Sequence, residues 1–302
     1  MAEHQPQKYL FEDKGLFHAF VDSMREGVYF LDPARRIQYW NAGARRISGF
    51  SADDVLGKHC ANDILKHVDE SGNNLCKGEC PMAQTIADGV VREKRLFLHR
   101  KDGHRVSVEV CCVQIRDAKG RVAGALETFR EAPAQNGADS PARVCPMTGV
   151  PNRVYAEEEL AAKLEAMRQQ HLSLGVLFAG VDRIIHINDH FGKHIGDLAL
   201  KMAARSLSSG LRPNDILARW AGVEFLAILP GIKHIEVRSL AERLRMLVEN
   251  SSREVSQDRM RVTVSIGACV CRLDDTAQSV INKVDRCMRE SRAHGGNRVT
   301  MD

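Results

Sequence analysis

The stretch Glu131-Ala-Pro-Ala-Gln-Asn-Gly-Ala-Asp-Ser-Pro-Ala142 does most to constrain the fold. It is rich in proline, glycine and small residues and has no apolar period, so it reads as a linker. It divides the 302 residues into parts of about 130 and about 160, each long enough to bury its own core. The expected layout is a domain over 12–132, a linker over 133–143 and a second domain over 144–302.

The first part begins with a short helix near Leu16–Met24. Two apolar runs, Gly27–Asp32 and Arg36–Asn41, flank a turn at Pro33–Arg35 and predict an antiparallel hairpin. After a helical middle come three strands, Lys94–Arg100, Arg105–Ile115 and Val122–Phe129, with glycine-bearing turns between them. The order strands, helices, strands is an α+β layout with an antiparallel sheet.

The second part alternates: helix Val154–Gln170, strand Leu172–Val181, a loop, and helix Lys193–Leu207. Hairpin Ile216–Leu229, helix Glu236–Asn250, strand Arg261–Cys271, helix Ala277–Ala293 and a terminal strand follow.

Several function classes drop out on composition. A net charge of +4 with interspersed signs gives no basic face for nucleic acid, and 5% aromatic residues give no base-stacking platform. No window approaches the roughly 18 to 20 apolar residues of a membrane span, and the start lacks the pattern of a secretory signal. The expectation is a cytoplasmic protein. Nine cysteines, an odd number without an export signal, point away from a disulfide scaffold and toward metal or redox chemistry.

Five ordered segments in the second part carry a resemblance. They are Pro146–Arg153, Ile187–Asp197, Arg219–Pro230, Val262–Ala268 and Val284–Val299. Together they resemble the GGDEF family, whose active members condense two GTP molecules into cyclic di-GMP. The first part resembles a PAS sensor domain, chiefly through Trp40–Lys58 and His99–Val106. The resemblance implies a five-stranded antiparallel PAS sheet with helices, then a nucleotidyl-cyclase-like central sheet surrounded by helices.

Against that family pattern, the metal carboxylates are missing. The first acidic residue of an Asp-x-Asp pair is Gly180 in Gly180-Val181-Asp182. The signature reads Ala221-Gly222-Val223-Glu224-Phe225, with Val223 at the second metal position. Magnesium is a hard cation that demands oxygen ligands, so no magnesium site and no catalytic residues are expected. Glu224 cannot simply replace position 223, because neighbouring strand residues face opposite ways. Ile185 and Gly296 stand where the family has basic residues, and Cys145 where it has an aspartate. Asn188 and Asp197 match the family's guanine-reading pair, and Arg292 holds a basic position suited to phosphate. Residual GTP binding stays open.

Upstream of the hairpin, Arg212-Pro-Asn-Asp215 with Arg219 resembles the family's RxxD site for cyclic di-GMP. Arginine can fork onto a guanine edge or phosphate, and aspartate accepts from guanine N–H groups. Arg238, Arg243 and Arg245 on the next helix are looser candidates.

In the sensor part, Cys60, His67, Cys76 and Cys80 form a candidate set for zinc, an iron–sulfur cluster or a redox switch, with inert packing the alternative. Cys111 and Cys112 alternate on one strand, so at least one belongs to a core. The leading reading is a homodimeric cyclic di-GMP receptor with a downstream protein partner. An active diguanylate cyclase with atypical metal ligation, and a nucleotide-free scaffold, are the alternatives.

Overall fold

The computed structural model describes residues 14–62, 64–132, 141–255 and 258–302. It forms two compact units, one drawn mainly from the residues before 133 and one mainly from those after it. Residues 133–140 of the expected linker lie outside the described residues, and Pro141–Arg143 form a short 3-10 turn.

In the first unit, helix α1 (Lys14–Ser23) precedes strands β1 (Gly27–Leu31) and β2 (Ile37–Trp40). Helices α2 (Ala42–Ser48), α3 (Ala52–Val55) and α4 (Pro81–Asp88) make up the helical middle. Strands β3 (Arg92–His99), β4 (Arg105–Arg116) and β5 (Val122–Glu131) complete a five-stranded sheet in the order β2-β1-β5-β4-β3. Buried Asn41 fastens its near end. Its Oδ1 accepts from the α2 amide of Ala44 at 2.7 Å and from Val28 N at 2.8 Å, while its amide donates to Val21 O at 2.9 Å. That cap starts α2 and ties it to β1.

The second unit is a mixed sheet in the order β12-β11-β6-β8-β7. Its strands are β6 (Leu174–Val181), β7 (Ile216–Ala221), β8 (Glu224–Pro230), β11 (Val264–Val270) and β12 (Val299–Met301). Only the β11–β12 pair is parallel. Central β6 is buried along its whole length and alternates between the two faces. Leu177 and Ala179 pack toward α7 (Lys193–Ser209) and α8 (His234–Glu249), while Val176 and Phe178 pack toward α5 (Arg153–Gln170) and α9 (Ala277–Ala293). That continuous apolar run is what a strand covered on both faces requires.

Two elements differ from the sequence expectation. The segment read as a loop after β6 contains α6 (Ile184–Phe191), which starts at Arg183 without a side-chain cap. The strand expected over Arg261–Cys271 is β11 alone, preceded by a separate hairpin of β9 (Ser252–Val255) and β10 (Asp258–Arg261). No helix among the described residues is long and apolar enough to cross a membrane.

Candidate functional site

The hairpin β7–β8 and the end of β6 meet at the upper rim of the second sheet. Gly180 pairs with Glu224, and Val181 N donates to Val223 O at 3.0 Å. Gly222 takes the left-handed φ of 46° that this turn needs. The rim opens on a cleft of 460 Å³ lined by Asp182, Arg183, Val223, Arg292 and Gly296, among others.

The donor set does not suit magnesium. Gly180 and Val223 carry no side-chain oxygen. Asp182 has oxygens, but they face β11 and the chain after α9. Oδ1 accepts from Ser265 Oγ at 2.7 Å, and Oδ2 from Thr263 Oγ1 at 2.8 Å and Asn297 N at 3.0 Å. Glu224 lies 3.7 Å from the Arg292 guanidinium. Asp182 is therefore a strut between elements, and Glu224 is half of an ion pair.

The structure brings Asn188 against the residue that precedes Asp197. Asn188 on α6 leans on Gly196, the residue before Asp197 on α7: a Cβ on Gly196 would stand 1.8 Å from Asn188 Oδ1. Ile185 is exposed on the first turn of α6.

At the opposite end of β7, Arg212 and Asp215 close a tight turn. Asp215 N donates to Arg212 O at 3.0 Å, and Arg212 N donates to Asp215 Oδ2 at 2.8 Å. Asp215 is buried, and desolvation raises its pKa against the opposing pull of the Arg212 amide and the Arg212 and Arg243 charges. Arg212 projects outward, 57% exposed, with Glu236 3.5 Å away. Arg243 reaches the same turn, donating to Gly210 O at 2.9 Å.

Arg219 is not brought to this turn. Its Nε and Nη2 donate to Gly222 O at 3.0 and 2.6 Å, and its Nη1 lies 3.4 Å from Cys145 Sγ. Four residues of strand, about 13 Å at the usual rise, separate it from Asp215. Arg219 braces the hairpin and polarises Cys145, whose thiol pKa falls to about 7 under the Thr148 and Arg219 hydrogen bonds despite burial. Arg245 serves elsewhere, pairing with Glu242 and Glu249.

In the first unit, Cys80 lies close enough to Cys60 and Cys76 to help raise the pKa of each, and Cys60 adds to the rise at Cys76. Burial pushes Cys76 up to about 12, and Cys60 up as well, so these are protonated thiols rather than reactive thiolates. Cys60 Sγ accepts from Arg35 Nη2 at 3.7 Å. Among the described residues, no group of three or more His, Cys, Asp or Glu side chains is placed to hold a metal ion. His67 instead sits with Nε2 3.7 Å from Oε1 of Glu127.

Glu127 is the residue that sequence reading missed. It is 1% exposed and lies directly across from Tyr29 on β1 and Cys112 on β4. Cys112 Sγ is 3.5 Å from Glu127 Oε2. Burial raises the Glu127 pKa to about 7, partly offset by the Tyr29 and Cys112 hydrogen bonds. A signal was present: Glu127 shares a strand face with Ala125 and Phe129, both buried.

Comparison with known proteins agrees with this architecture. Residues 142–298 match the family model "Diguanylate cyclase, GGDEF domain", and residues 25–132 match a PAS domain model. The chain belongs to the GGDEF-domain family, in the class that joins a PAS domain to a GGDEF domain. "Probable diguanylate cyclase DgcE" of Escherichia coli K12 is 26% identical over 98% of this chain and 27% of its own length. The first three curated relatives are each matched over 23% to 35% of their length. The crystal structure of diguanylate cyclase SiaD, in complex with its activator SiaC from Pseudomonas aeruginosa, aligns with a TM-score of 0.51 at 29% identity. That match covers 53% of this chain and 61% of the other. The GGDEF domain of DgcB from Caulobacter crescentus, solved in complex with c-di-GMP, has the same fold, with a TM-score of 0.52 at 22% identity. It covers 56% of this chain and 98% of that one.

Proposed function

We propose that this protein receives cyclic di-GMP rather than making it, through Arg212 and Asp215 at the entrance of β7. One observation carries the reading: an outward guanidinium and a buried carboxylate share one turn, with Arg243 alongside. Arg212 is placed to meet a guanine edge or a phosphodiester. Arg219 has no part in this site. The DgcB GGDEF domain was solved with c-di-GMP, and this chain has the same fold.

The companion proposal is that the GGDEF unit is catalytically degenerate. Condensation needs carboxylates to hold the metals that neutralise the triphosphate. Gly180 and Val223 offer none, and Asp182 is already engaged by three donors. The sensor unit is the input side, with the thiols Cys60, Cys76 and Cys80 and the buried Glu127 as its candidate responsive groups. A cytoplasmic homodimer that signals to a downstream protein is the expected working form.

Titration calorimetry with cyclic di-GMP tests the receptor reading. The wild-type chain is expected to give saturable heat, and Arg212→Ala to weaken binding by about 30-fold or more, the range for loss of a charge-assisted hydrogen bond. Absence of heat from the wild-type protein would remove the proposal.

A further inference from the structure

We propose that His186 and His190 form a surface site for a divalent transition metal of the zinc, nickel or copper kind, whose binding clamps helix α6. The inference uses none of the residues of the Arg212–Asp215 turn and stands apart from the cyclic di-GMP reading.

The segment His186-Ile-Asn-Asp-His190 places two imidazoles four residues apart inside α6. That spacing sets side chains one turn above the other on one helix face, as in the two-histidine helices that hold zinc. The structure brings the pair together. The two rings are stacked, with centroids 6.1 Å apart and planes 25° apart. Phe191 meets the His190 ring edge-on, with centroids 4.5 Å apart, and narrows the positions open to it. Both histidines are exposed, whereas Ile184 and Ile187 of the same helix are buried. The core therefore anchors one face of α6 and leaves the paired imidazoles on the other. A cation at about 2.0–2.1 Å from each nitrogen needs the two nitrogens about 3 Å apart. Rotation of the two exposed rings about χ1 and χ2 supplies that approach.

The donor set selects the cation. Imidazole nitrogen suits zinc, nickel and copper, whereas magnesium demands oxygen. Net charge is not the source of affinity, because Arg183 before the helix and Lys193 after it offset Asp189 between the histidines. Among the described residues no group of three or more His, Cys, Asp or Glu side chains can hold a metal, so the pair has no third protein ligand. Its remaining positions fall to water or an incoming ligand, as in an open metal site.

Helix α6 has much to gain from such a clamp. It has eight residues, no side-chain cap, and an entry through Arg183 at a left-handed φ of 52°. A helix this short is marginal by itself. A metal bridging residues i and i+4 pins one full turn, and that turn includes Asn188, the candidate guanine-reading residue. Metal binding and the placement of Asn188 are thereby coupled.

Titration calorimetry with NiCl₂ on the full chain, in excess Mg²⁺, tests the site. The wild-type protein is expected to bind Ni²⁺ saturably. His186→Gln and His190→Gln are each expected to weaken that binding by about tenfold or more, at least the cost of losing an outer-shell partner. Sites formed by the cysteines are common to wild type and variants and cancel in the comparison. His194→Gln, on the neighbouring helix α7, is expected to leave the affinity unchanged. Thermal unfolding followed by Trp220 in a Trp40→Phe background gives a second readout. Ni²⁺ is expected to raise the midpoint with both histidines present and to raise it less in the double variant. Unchanged Ni²⁺ affinity in both single variants, displacement of Ni²⁺ by Mg²⁺, or an equal loss in His194→Gln overturns the proposal.

Discussion

Replacing Glu127 with glutamine is expected to stabilise the sensor unit by about 3 kcal/mol at pH 8 and to leave it nearly unchanged at pH 4. Glu127 is buried against Tyr29 and Cys112, and burial lifts its pKa from 4.5 to about 7. A folded-state value above the unfolded one means that the folded unit holds the proton more tightly. The stabilisation from that proton is complete below pH 4.5 and is lost as pH rises through 7. At about 1.4 kcal/mol per tenfold change in acidity, the full loss is about 3 kcal/mol. Glutamine keeps the shape and never ionises, so its stability should not show this slope. The chain has two tryptophans, Trp40 in the first unit and Trp220 in the second, so each unit can be followed alone. Denaturant unfolding read by Trp40 fluorescence in a Trp220→Phe background gives the comparison at each pH. Parallel pH profiles for wild type and Glu127→Gln would contradict the buried ionisation.

An alanine at Gly267 is expected to destabilise the GGDEF unit by about 3 kcal/mol, at the upper end of overpacking effects. Gly267 sits on β11 where α9 crosses it. An added Cβ would lie 2.0 Å from Val284 O and 2.4 Å from Met288 N. Both are backbone atoms of a helix whose Val280, Val284 and Met288 fill the core, so no side-chain rotation relieves the clash. The helix must lift from the sheet, and Arg292 rides on its last turn. Unfolding followed by Trp220 in a Trp40→Phe background should show the loss, while the Trp40 transition, read separately in a Trp220→Phe background, stays in place. A substitution tolerated within 0.5 kcal/mol would mean that α9 packs less closely than described.

Much of the fold was legible because its signals are local. Helix α9 runs over the expected Ala277–Ala293, started by the Thr276 cap and held by an apolar stripe. Strand β6 was plain from its unbroken apolar run. Helix α6 was missed because it is short and begins at Arg183 in the left-handed region, without a capping side chain. The β9–β10 hairpin was missed because Ser252–Val255 carries charged residues and no alternation.

The site divides in the same way. Gly180, Val223 and the Arg212–Asp215 turn stand out because each departs from or keeps a motif at a fixed position. The placement of Arg292 over Gly180 joins residues 112 positions apart, and no local pattern reports it. Arg219 misled because closeness in sequence along an extended strand is distance in space. The thiols Cys60, Cys76 and Cys80 were visible, but the carboxylate of Glu127, buried in the sensor core, was missed.

Incubation of the purified full chain with GTP and Mg²⁺ or Mn²⁺, followed by nucleotide chromatography, tests the central claim most directly. Unconverted GTP is the predicted result with either metal, because the rim offers a guanidinium where carboxylates would be required. Formation of cyclic di-GMP that disappears in Glu224→Ala would contradict it.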